Sequence, residues 1–168
     1  MPRVTFDTMP ATARLWTFAA SRELSDAEAS PLLEATDAFL DQWAAHGQPL
    51  TAARDWLHGR FLLVAVDEEK AGVSGCSVDA LVRGLKELEK RLDVDLIDNG
   101  PITFRSPDGI RRVSRTEFSD LAASGAVTPD TVVFNNTAET VGDVRGGRWE
   151  TRAADSWHGP AFFSVASG

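Results

Sequence analysis

The sequence is poor in the features that mark secreted, membrane and metal-binding proteins. It has one cysteine, which excludes an intramolecular disulfide and every zinc motif built from several cysteines. Its longest apolar run, residues 61–66, is far shorter than the roughly 18 residues that indicate a membrane span. No apolar stretch follows basic residues at the start, so no signal or transit peptide is indicated. We expect a cytoplasmic protein with no membrane span, metal or cofactor.

Positive charge is also scarce. The 168 residues include 17 Lys and Arg against 25 Asp and Glu, a formal net charge of -8. Such a balance repels phosphate backbones and anionic membrane surfaces at long range. This disfavours nucleic acid and leaves a protein or a small molecule as the expected partner.

Hydrophobic periodicity predicts an α+β fold with two lobes. In the first lobe, residues 1–98, the pattern gives strand, helix, strand, strand, helix, strand, which is the order of a ferredoxin-like split βαβ fold. The predicted elements are a strand at 14–19, a helix capped by Ser25 and ending before Gly47, a hairpin at 54–66, a helix capped by Ser77 and a strand at 94–97. Pro31 predicts a kink in the first helix, or a restart capped by Ser30.

The sequence of the second lobe, residues 99–168, predicts short strands and turns. A hairpin over 102–113, a strand at 131–134 and one short helix predict a small β-rich lobe. The helix starts after Ser114 or Thr116 and ends at Gly125. The glycines of 141–147 predict a mobile loop.

The most distinctive segment for chemistry is Val73-Ser74-Gly75-Cys76-Ser77-Val78-Asp79. Cys76 is predicted at a helix start, where amide donors and the helix dipole favour a thiolate. The same place, with Ser74, Gly75, Ser77 and Asp79, is also suited to an anion. The simpler interpretation, which we favour, is a tight turn at Gly75 followed by a small buried cysteine.

Other candidate residues surround this segment in the sequence. Asp67 and Glu68, followed by Glu69, come after the predicted central strand; a general base or cation ligand competes there with a solvated turn, which we favour. His46, predicted at the end of the first helix, is placed to activate the Cys76 thiol or to bind the last helix carbonyls. Trp149 and Trp157 lie in irregular sequence and are candidates for a peptide-binding face or for docking of the second lobe.

With these segments in view, the chain resembles a family of small bacterial proteins that often carry the label "ABC transporter ATPase". The resemblance runs through residues 39–47, 66–68, 74–79, 133–136 and 156–157, and it implies no established activity. ATP hydrolysis by an ABC ATPase is excluded, because the chain has no Gly-x4-Gly-Lys-[Ser/Thr] loop to cradle phosphates. The second lobe is similar to the bacterial variant of the GYF domain at residues 108–109, 113–114, Phe118, Leu121, Gly125, 127–133 and Trp149. That family is associated with binding of proline-rich peptides, but the absence of tyrosine removes its naming Gly-Tyr-Phe element.

The sequence thus supports three hypotheses of different kinds. The leading one is a non-catalytic binding or adaptor protein, with a protein or small-ligand site between the lobes. The second is an enzyme with Cys76 as nucleophile, assisted by His46 and by Asp67 or Glu68. The third is an anion or nucleotide site at Ser74–Ser77 without hydrolysis.

Overall fold

The computed structural model of the protein describes residues 3–163. It contains helices and antiparallel sheets, which confirms the α+β class. The described chain divides into two compact units. Unit 1 extends to Asp98 and also includes Glu139–Gly142, whereas unit 2 contains Asn99–Ala138 and the chain from Asp143 onward. Within the described range, no helix has the length and apolar character needed to cross a membrane.

Unit 1 is built on a three-stranded antiparallel sheet with the order β1-β5-β4. The strands of the unit are β1 (Arg14–Ala19), β2 (Ala44–Ala45), β3 (Gln48–Pro49), β4 (Ala52–Leu57) and β5 (Phe61–Val66), and its long helices are α1 (Asp26–Gln42) and α2 (Gly75–Leu92). Every residue of the central strand β5 is buried. A continuous apolar run is the pattern expected of a strand covered on both faces, and the predicted central strand is confirmed.

Both long helices pack on one face of this sheet. Phe18 lies opposite Leu62 in the β1–β5 register, and these side chains share one hydrophobic core with buried leucines of α1 and α2. The start of α1 is the predicted capping box, because Ser25 accepts from the Glu28 amide and the Glu28 carboxylate accepts from the Ser25 amide. Pro31 lies inside one uninterrupted helix, so the expected restart at Ser30 does not occur.

The end of α1 differs from the prediction. The helix stops at Gln42, because Trp43 has extended backbone angles and the next residues form the β2–β3 hairpin. His46 and Gly47 form its two-residue turn with φ of 52° and 78°, the left-handed pair that favours tight hairpins. His46 is therefore a turn residue and does not lie at a helix end.

The segment predicted as the last strand of unit 1 is not a strand. Residues 94–97 belong to no sheet, and Glu89 near the end of α2 accepts hydrogen bonds from the amides of Leu96 and Ile97 at 2.6 and 3.0 Å. Ser21 accepts from the Asp95 amide. A carboxylate and a hydroxyl thus take the donors that a neighbouring strand would need.

Short segments cover both edges of the sheet. At the β4 edge, the Val4 amide donates to the carbonyl of Ala52 at 2.8 Å. At the β1 edge, the Leu15 amide donates to Glu139 at 2.8 Å, and the Val141 amide donates to Ala13 at 3.0 Å. These bonds satisfy backbone groups that an open edge leaves unpaired.

Unit 2 contains a four-stranded antiparallel sheet with the order β7-β6-β8-β9. Its elements are β6 (Ile102–Ser106), β7 (Gly109–Val113), α3 (Arg115–Ser124), β8 (Val132–Phe134), α4 (Val141–Arg145, which begins in unit 1), β9 (Glu150–Arg152) and α5 (His158–Phe162). Fully buried Phe118 of α3 packs edge-on against Phe104 of the sheet. The prediction of a single helix after residue 99 was wrong. Besides α3, the helix α4 forms where a mobile loop was predicted, and α5 lies near the C-terminus.

Candidate functional site

The start of α2 places the residues on which the thiol and anion hypotheses depend. Its N-cap is Ser74, not Ser77: the Ser74 hydroxyl accepts from the Ser77 amide at 3.1 Å, and the Ser77 hydroxyl accepts from the Ser74 amide at 2.7 Å. Each serine hydroxyl accepts from the backbone amide of the other serine, and this capping box begins the helix after Ser74. The predicted cap, Ser77, was wrong by three residues. Cys76 is therefore the second residue inside the helix.

The residues at the start of α2 differ in their exposure to solvent. Gly75, Cys76 and Asp79 are exposed, so the expectation of a buried cysteine was wrong. Ser77 is buried, and its carbonyl accepts a 2.9 Å hydrogen bond from the indole of Trp43. Both serine hydroxyls are engaged in capping the helix. The thiol is accessible. The amides of Ser77 and Val78 both donate to Ser74, which weakens the anion interpretation because that interpretation needs unpaired amides at residues 75–79.

His46 lies in the turn of the β2–β3 hairpin, and β2 packs beside α2. Its imidazole is exposed. In the range 3–163, no hydrogen bond joins the His46 ring to the Cys76 thiol. The structure thus places the two residues around the same helix without forming the nucleophile–base pair.

The acidic residues after β5 form the turn that leads towards α2. Asp67 is buried, and its carboxylate accepts from the Glu69 amide at 3.2 Å. The Glu68 carboxylate accepts from the Val73 amide at 3.2 Å. These bonds give both carboxylates a structural role in the turn. Among residues 3–163, no group of three His, Cys, Asp or Glu side chains is arranged to hold a metal ion.

The two tryptophans proposed for a peptide-binding face are already engaged within unit 2. Trp149 is only 3% exposed and packs on Phe134 with ring centres 5.1 Å apart. Trp157 stacks on His158 at 3.9 Å, lies under the Arg115 guanidinium at 5.0 Å, and donates its indole N–H to Asn136 at 3.1 Å. Trp149 is thus closed to a ligand, whereas Trp157 is half-buried and already has three partners within the unit.

Unit 2 also contains a close serine–histidine pair that the sequence did not indicate. Ser156 Oγ lies 2.7 Å from Nδ1 of His158, and the same oxygen accepts from the His158 amide at 3.3 Å. Burial, with a smaller contribution from the charge of Arg115, lowers the pKa of His158 to about 4. Because the imidazole is 1% exposed and packs against Phe118 and Trp157, the pair closes the turn before α5 and its imidazole is not accessible from solvent.

A polar cleft of about 380 Å³ lies beside α1 and β4 in unit 1. Arg54 donates two hydrogen bonds to the Asp37 carboxylate at 2.8 and 2.9 Å, and Arg3 bonds Asp41 at 3.0 Å. The hydrogen bond from Arg54 lowers the pKa of Asp37, and the same pairing raises the pKa of Arg54. The charges of these residues are thus largely neutralised within the chain, and the cleft offers a ligand few free partners.

An apolar groove of about 130 Å³ lies between α1 and α2. Ala35, Thr36 and Phe39 line it from α1. From α2 it is lined by Leu81, Gly84, Leu85, Glu87, Leu88 and Arg91.

Gly84 is the unusual residue of this groove. It lies in the interior of α2, and a methyl group added to it would meet no heavy atom within 4 Å. A glycine inside a helix costs roughly 1 kcal/mol relative to alanine. No close contact within the chain accounts for this cost.

No family model, no curated protein and no solved structure matches this chain. The function is therefore inferred from the geometry of the chain alone.

The groove was missed by sequence reasoning, which placed the candidate sites at Cys76, the acidic turn and the tryptophans. Its apolar residues lie on the stripes that also build the core, so periodicity does not separate them from buried positions. The available signal was Gly84, because an isolated glycine inside a helical pattern needs a packing or functional reason.

Proposed function

We propose that the protein is a non-catalytic binding module that docks another polypeptide in the groove between α1 and α2. The observation that carries the proposal is the open, apolar groove at Gly84. The charged pairs of the polar cleft and the two tryptophans of unit 2 are already satisfied within the chain, so the groove is the better candidate.

The size of the groove favours a side chain over a cofactor. Pockets that enclose small molecules usually measure about 300 to 1,000 Å³. A cavity of about 150 Å³ lined by aliphatic residues holds one benzene-sized group. A groove of about 130 Å³ therefore fits one leucine or phenylalanine side chain from a partner.

Gly84 gives a second reason to propose a docking site at the groove. A residue without a β-carbon allows a ligand or a backbone to approach closely. A partner that packs against the helix backbone at Gly84 would explain why α2 retains a residue that lowers its own stability.

A photo-crosslinking amino acid placed at Glu87, on the groove, tests the proposal in cells that express the protein. The matched control places it at Glu69, which is also exposed but lies in the turn before α2. We expect adducts from position 87 and none from position 69. Adducts from both, or from neither, would contradict a docking site at the groove.

A pair of substitutions at one position adds a second test. Gly84→Met fills the groove, whereas Gly84→Ala adds a single methyl group; both replace glycine by a good helix former. We expect the crosslink from position 87 to weaken with alanine, whose methyl group keeps the partner off the helix backbone, and to disappear with methionine. Crosslinking at the wild-type level in the methionine variant would show that the groove does not hold the partner.

We also propose that unit 1 is a ferredoxin-like split βαβ fold in a bacterial cytoplasmic protein of the family named above. The order β1-β5-β4, with both helices on one face, supports the fold, although residues 94–97 do not complete the sheet. A GYF-like unit 2 is a further proposal, supported by one sheet with α3 packed on it.

A thiol-dependent activity is the second candidate, favoured by the exposure of Cys76 in the first turn of α2. The test is the alkylation rate of Cys76 as a function of pH, together with a Cys76→Ser variant in cells. A rate that rises only near the pKa of an ordinary thiol, with no effect of the variant, would rule this candidate out.

A further inference from the structure

A second depression on α2 adjoins the apolar groove at Gly84. It is an open cleft on the helix surface, and Gly84 and Glu87 line both the cleft and the groove. No side chain rises from Gly84 to divide the two, and a methyl group added there would meet no heavy atom within 4 Å. A partner that crosses α2 at Gly84 therefore contacts the groove and the cleft together.

Basic residues outnumber acidic ones on this continuous surface. Arg91 lines the groove itself. The cleft is lined by three further basic residues: Arg83, Lys86 and Lys90. We call these four residues the basic surface. The acidic residues of the lining are Glu87 and Glu89, so four positive and two negative charges give it a net charge of +2 in a chain of net charge -8.

Most of this positive charge is available to a partner. Three of the four basic residues are exposed and have no ion-pair partner among residues 3–163: Arg83, Lys86 and Arg91. Lys90 lies 3.8 Å from Glu87, but the two side chains are 77% and 72% exposed, so water and salt weaken the pair. The Glu89 carboxylate is occupied by two backbone amides. The chain thus leaves the basic surface largely uncompensated.

The α1 side of the groove carries no charge. It consists of Ala35, Thr36 and Phe39. Two acidic residues of the same helix, Asp37 and Asp41, pair instead with arginines at the polar cleft. An occupant of the groove therefore meets an uncharged wall on α1 and a basic rim on α2.

Electrostatic complementarity across an interface orients the partners and suppresses wrong ones. We propose that the groove takes an acidic amphipathic segment of another polypeptide, whose leucine or phenylalanine side chain enters the groove while its Asp and Glu side chains contact the basic surface. The inference rests on the proposed docking function and names the chemistry of the partner. Arg83 and Arg91 are separated by about 12 Å along α2, so a segment of about two helical turns reaches both.

Other anionic partners fit this surface less well. A lipid bilayer and a nucleic acid are extended polyanions, and the net charge of -8 repels them at long range. A short acidic segment carries few charges and is repelled less. At physiological ionic strength, charges beyond about 8 Å from each other are largely screened, so the segment responds mainly to the basic surface that it contacts.

Phage display of random peptides on the full chain tests the inference. The peptides should be long enough for about four helical turns, roughly 15 residues. Those that bind the wild type but not Gly84→Met occupy the groove. We expect them to contain a leucine or phenylalanine flanked by more Asp and Glu than in the unselected library. Groove-dependent peptides without this acidic excess would overturn the inference.

Charge reversal on the protein provides a matched comparison. The probe is a synthetic copy of the most enriched groove-dependent peptide, and its affinity is measured by fluorescence anisotropy. Arg83→Glu should weaken binding at least about ten-fold, the effect of roughly 1.4 kcal/mol. Lys70→Glu changes the net charge equally at an exposed turn and should bind as the wild type does. An equal loss in the two variants would overturn the role of the basic surface.

The possible outcomes separate this inference from the docking function. Adducts from position 87 in cells, with groove-dependent peptides that lack the acidic excess or with no such peptides, keep the docking function and overturn the inference. Absence of both adducts and groove-dependent peptides removes both proposals. Phosphatidylserine vesicles and duplex DNA are further probes, and binding of either that Gly84→Met abolishes would overturn a polypeptide as the occupant.

Discussion

Burial strongly lowers the pKa of one residue, His158. Its imidazole is 1% exposed in unit 2, between the rings of Trp157 and Phe118, and its Nδ1 lies 2.7 Å from Ser156 Oγ. In the sequence, the residue stands in a turn-like context between a tryptophan and a glycine. Neither burial nor the ring contacts can be inferred there, because the residues that enclose it come from α3 and the last turn of the chain.

The lowered pKa of His158 predicts a loss of stability in mild acid. In the unfolded chain a histidine binds a proton near pH 6.5, whereas the folded state does so only near pH 4. As pH falls through this window, the imidazole binds a proton in the unfolded state but not in the folded state. The free energy of unfolding therefore decreases. The full loss is about 3 kcal/mol, present below pH 4.

Urea unfolding at several pH values between 7 and 4 measures this effect. We expect His158→Gln to remove about that much of the pH dependence of the wild type. Phe162→Leu, in the same aromatic cluster, is the control: it should lower stability at every pH but keep the slope. Equal slopes for wild type and His158→Gln would show that the buried imidazole does not titrate as described.

Two helical glycines give a second prediction at this scale. Gly84→Ala should raise the free energy of unfolding by about 1 kcal/mol, because the helix gains propensity and the new methyl enters open space. Gly142→Ala should lower it, because its methyl would lie 3.0 Å from the carbonyl oxygen of Ala11. Urea titration at a protein concentration too low for association measures both. A destabilised Gly84→Ala would mean that the groove is not open.

At the scale of elements, the sequence predicts the parts whose signals are local. The capping box at Ser25, the apolar run of β5 and the turn at His58-Gly59 lead to α1 and the β4–β5 hairpin as predicted. The errors occur where a distant or competing partner decides. A two-residue strand paired across His46-Gly47 ended α1 early, and two serines three residues apart gave alternative starts for α2.

The prediction of a last strand in unit 1 was wrong for the same physical reason, because a competing hydrogen-bond partner decides the local structure. Val94 and Leu96 are buried at alternate positions, which is the pattern of a strand. Nothing in that pattern shows that the Glu89 carboxylate binds the amides of residues 96 and 97. Side chains that compete with the backbone for hydrogen bonds become visible only in the folded structure.

This arrangement predicts a distinct role for Glu89. Glu89→Ala leaves two amides without their acceptor and should cost about 1 to 3 kcal/mol of stability. Hydrogen exchange at the amides of Leu96 and Ile97 should accelerate. Glu87→Ala, which removes only a surface ion pair with Lys90, is the control and should change stability by less than about 0.5 kcal/mol. Unchanged exchange at both amides in Glu89→Ala would contradict the proposed anchoring.

For the whole molecule, charge is divided unevenly between the units. The basic residues of unit 2 are Arg105, Arg111, Arg112, Arg115, Arg145, Arg148 and Arg152, and its acidic residues are Asp108, Glu117, Asp120, Asp130, Asp143, Glu150 and Asp155. These charges cancel, so the net charge of -8 belongs to unit 1. The long-range repulsion expected of an acidic protein therefore originates in unit 1 and not in unit 2.

The candidate site is also a property of the whole fold. Cys76, Asp67 and the tryptophans are conspicuous as residue types, and the structure gives most of them structural partners. The groove consists of common apolar residues from two helices that are brought together by packing on the same sheet. Only the three-dimensional arrangement distinguishes these residues from the rest of the core.

Unit 1 includes a segment that follows most of unit 2 in the sequence. Residues Glu139–Gly142 bond the outer edge of β1, where the Leu15 amide donates to Glu139 and Arg14 pairs with Thr140. A chain that ends at Asp98 keeps the core between the sheet and its two helices but leaves this edge open. An open apolar edge pairs readily with other chains, so we expect the fragment to fold and to self-associate more than the full chain.

Hydrogen exchange distinguishes the two edges of β1 in that fragment. The Leu15 amide should lose its protection, whereas the β1 amides that bond β5 should remain protected because the β1–β5 ladder is intact. Protection of Leu15 equal to that in the full chain would show that Glu139–Gly142 is not needed to close the sheet, and loss of protection throughout β1 would show that unit 1 requires the returning segment in order to fold.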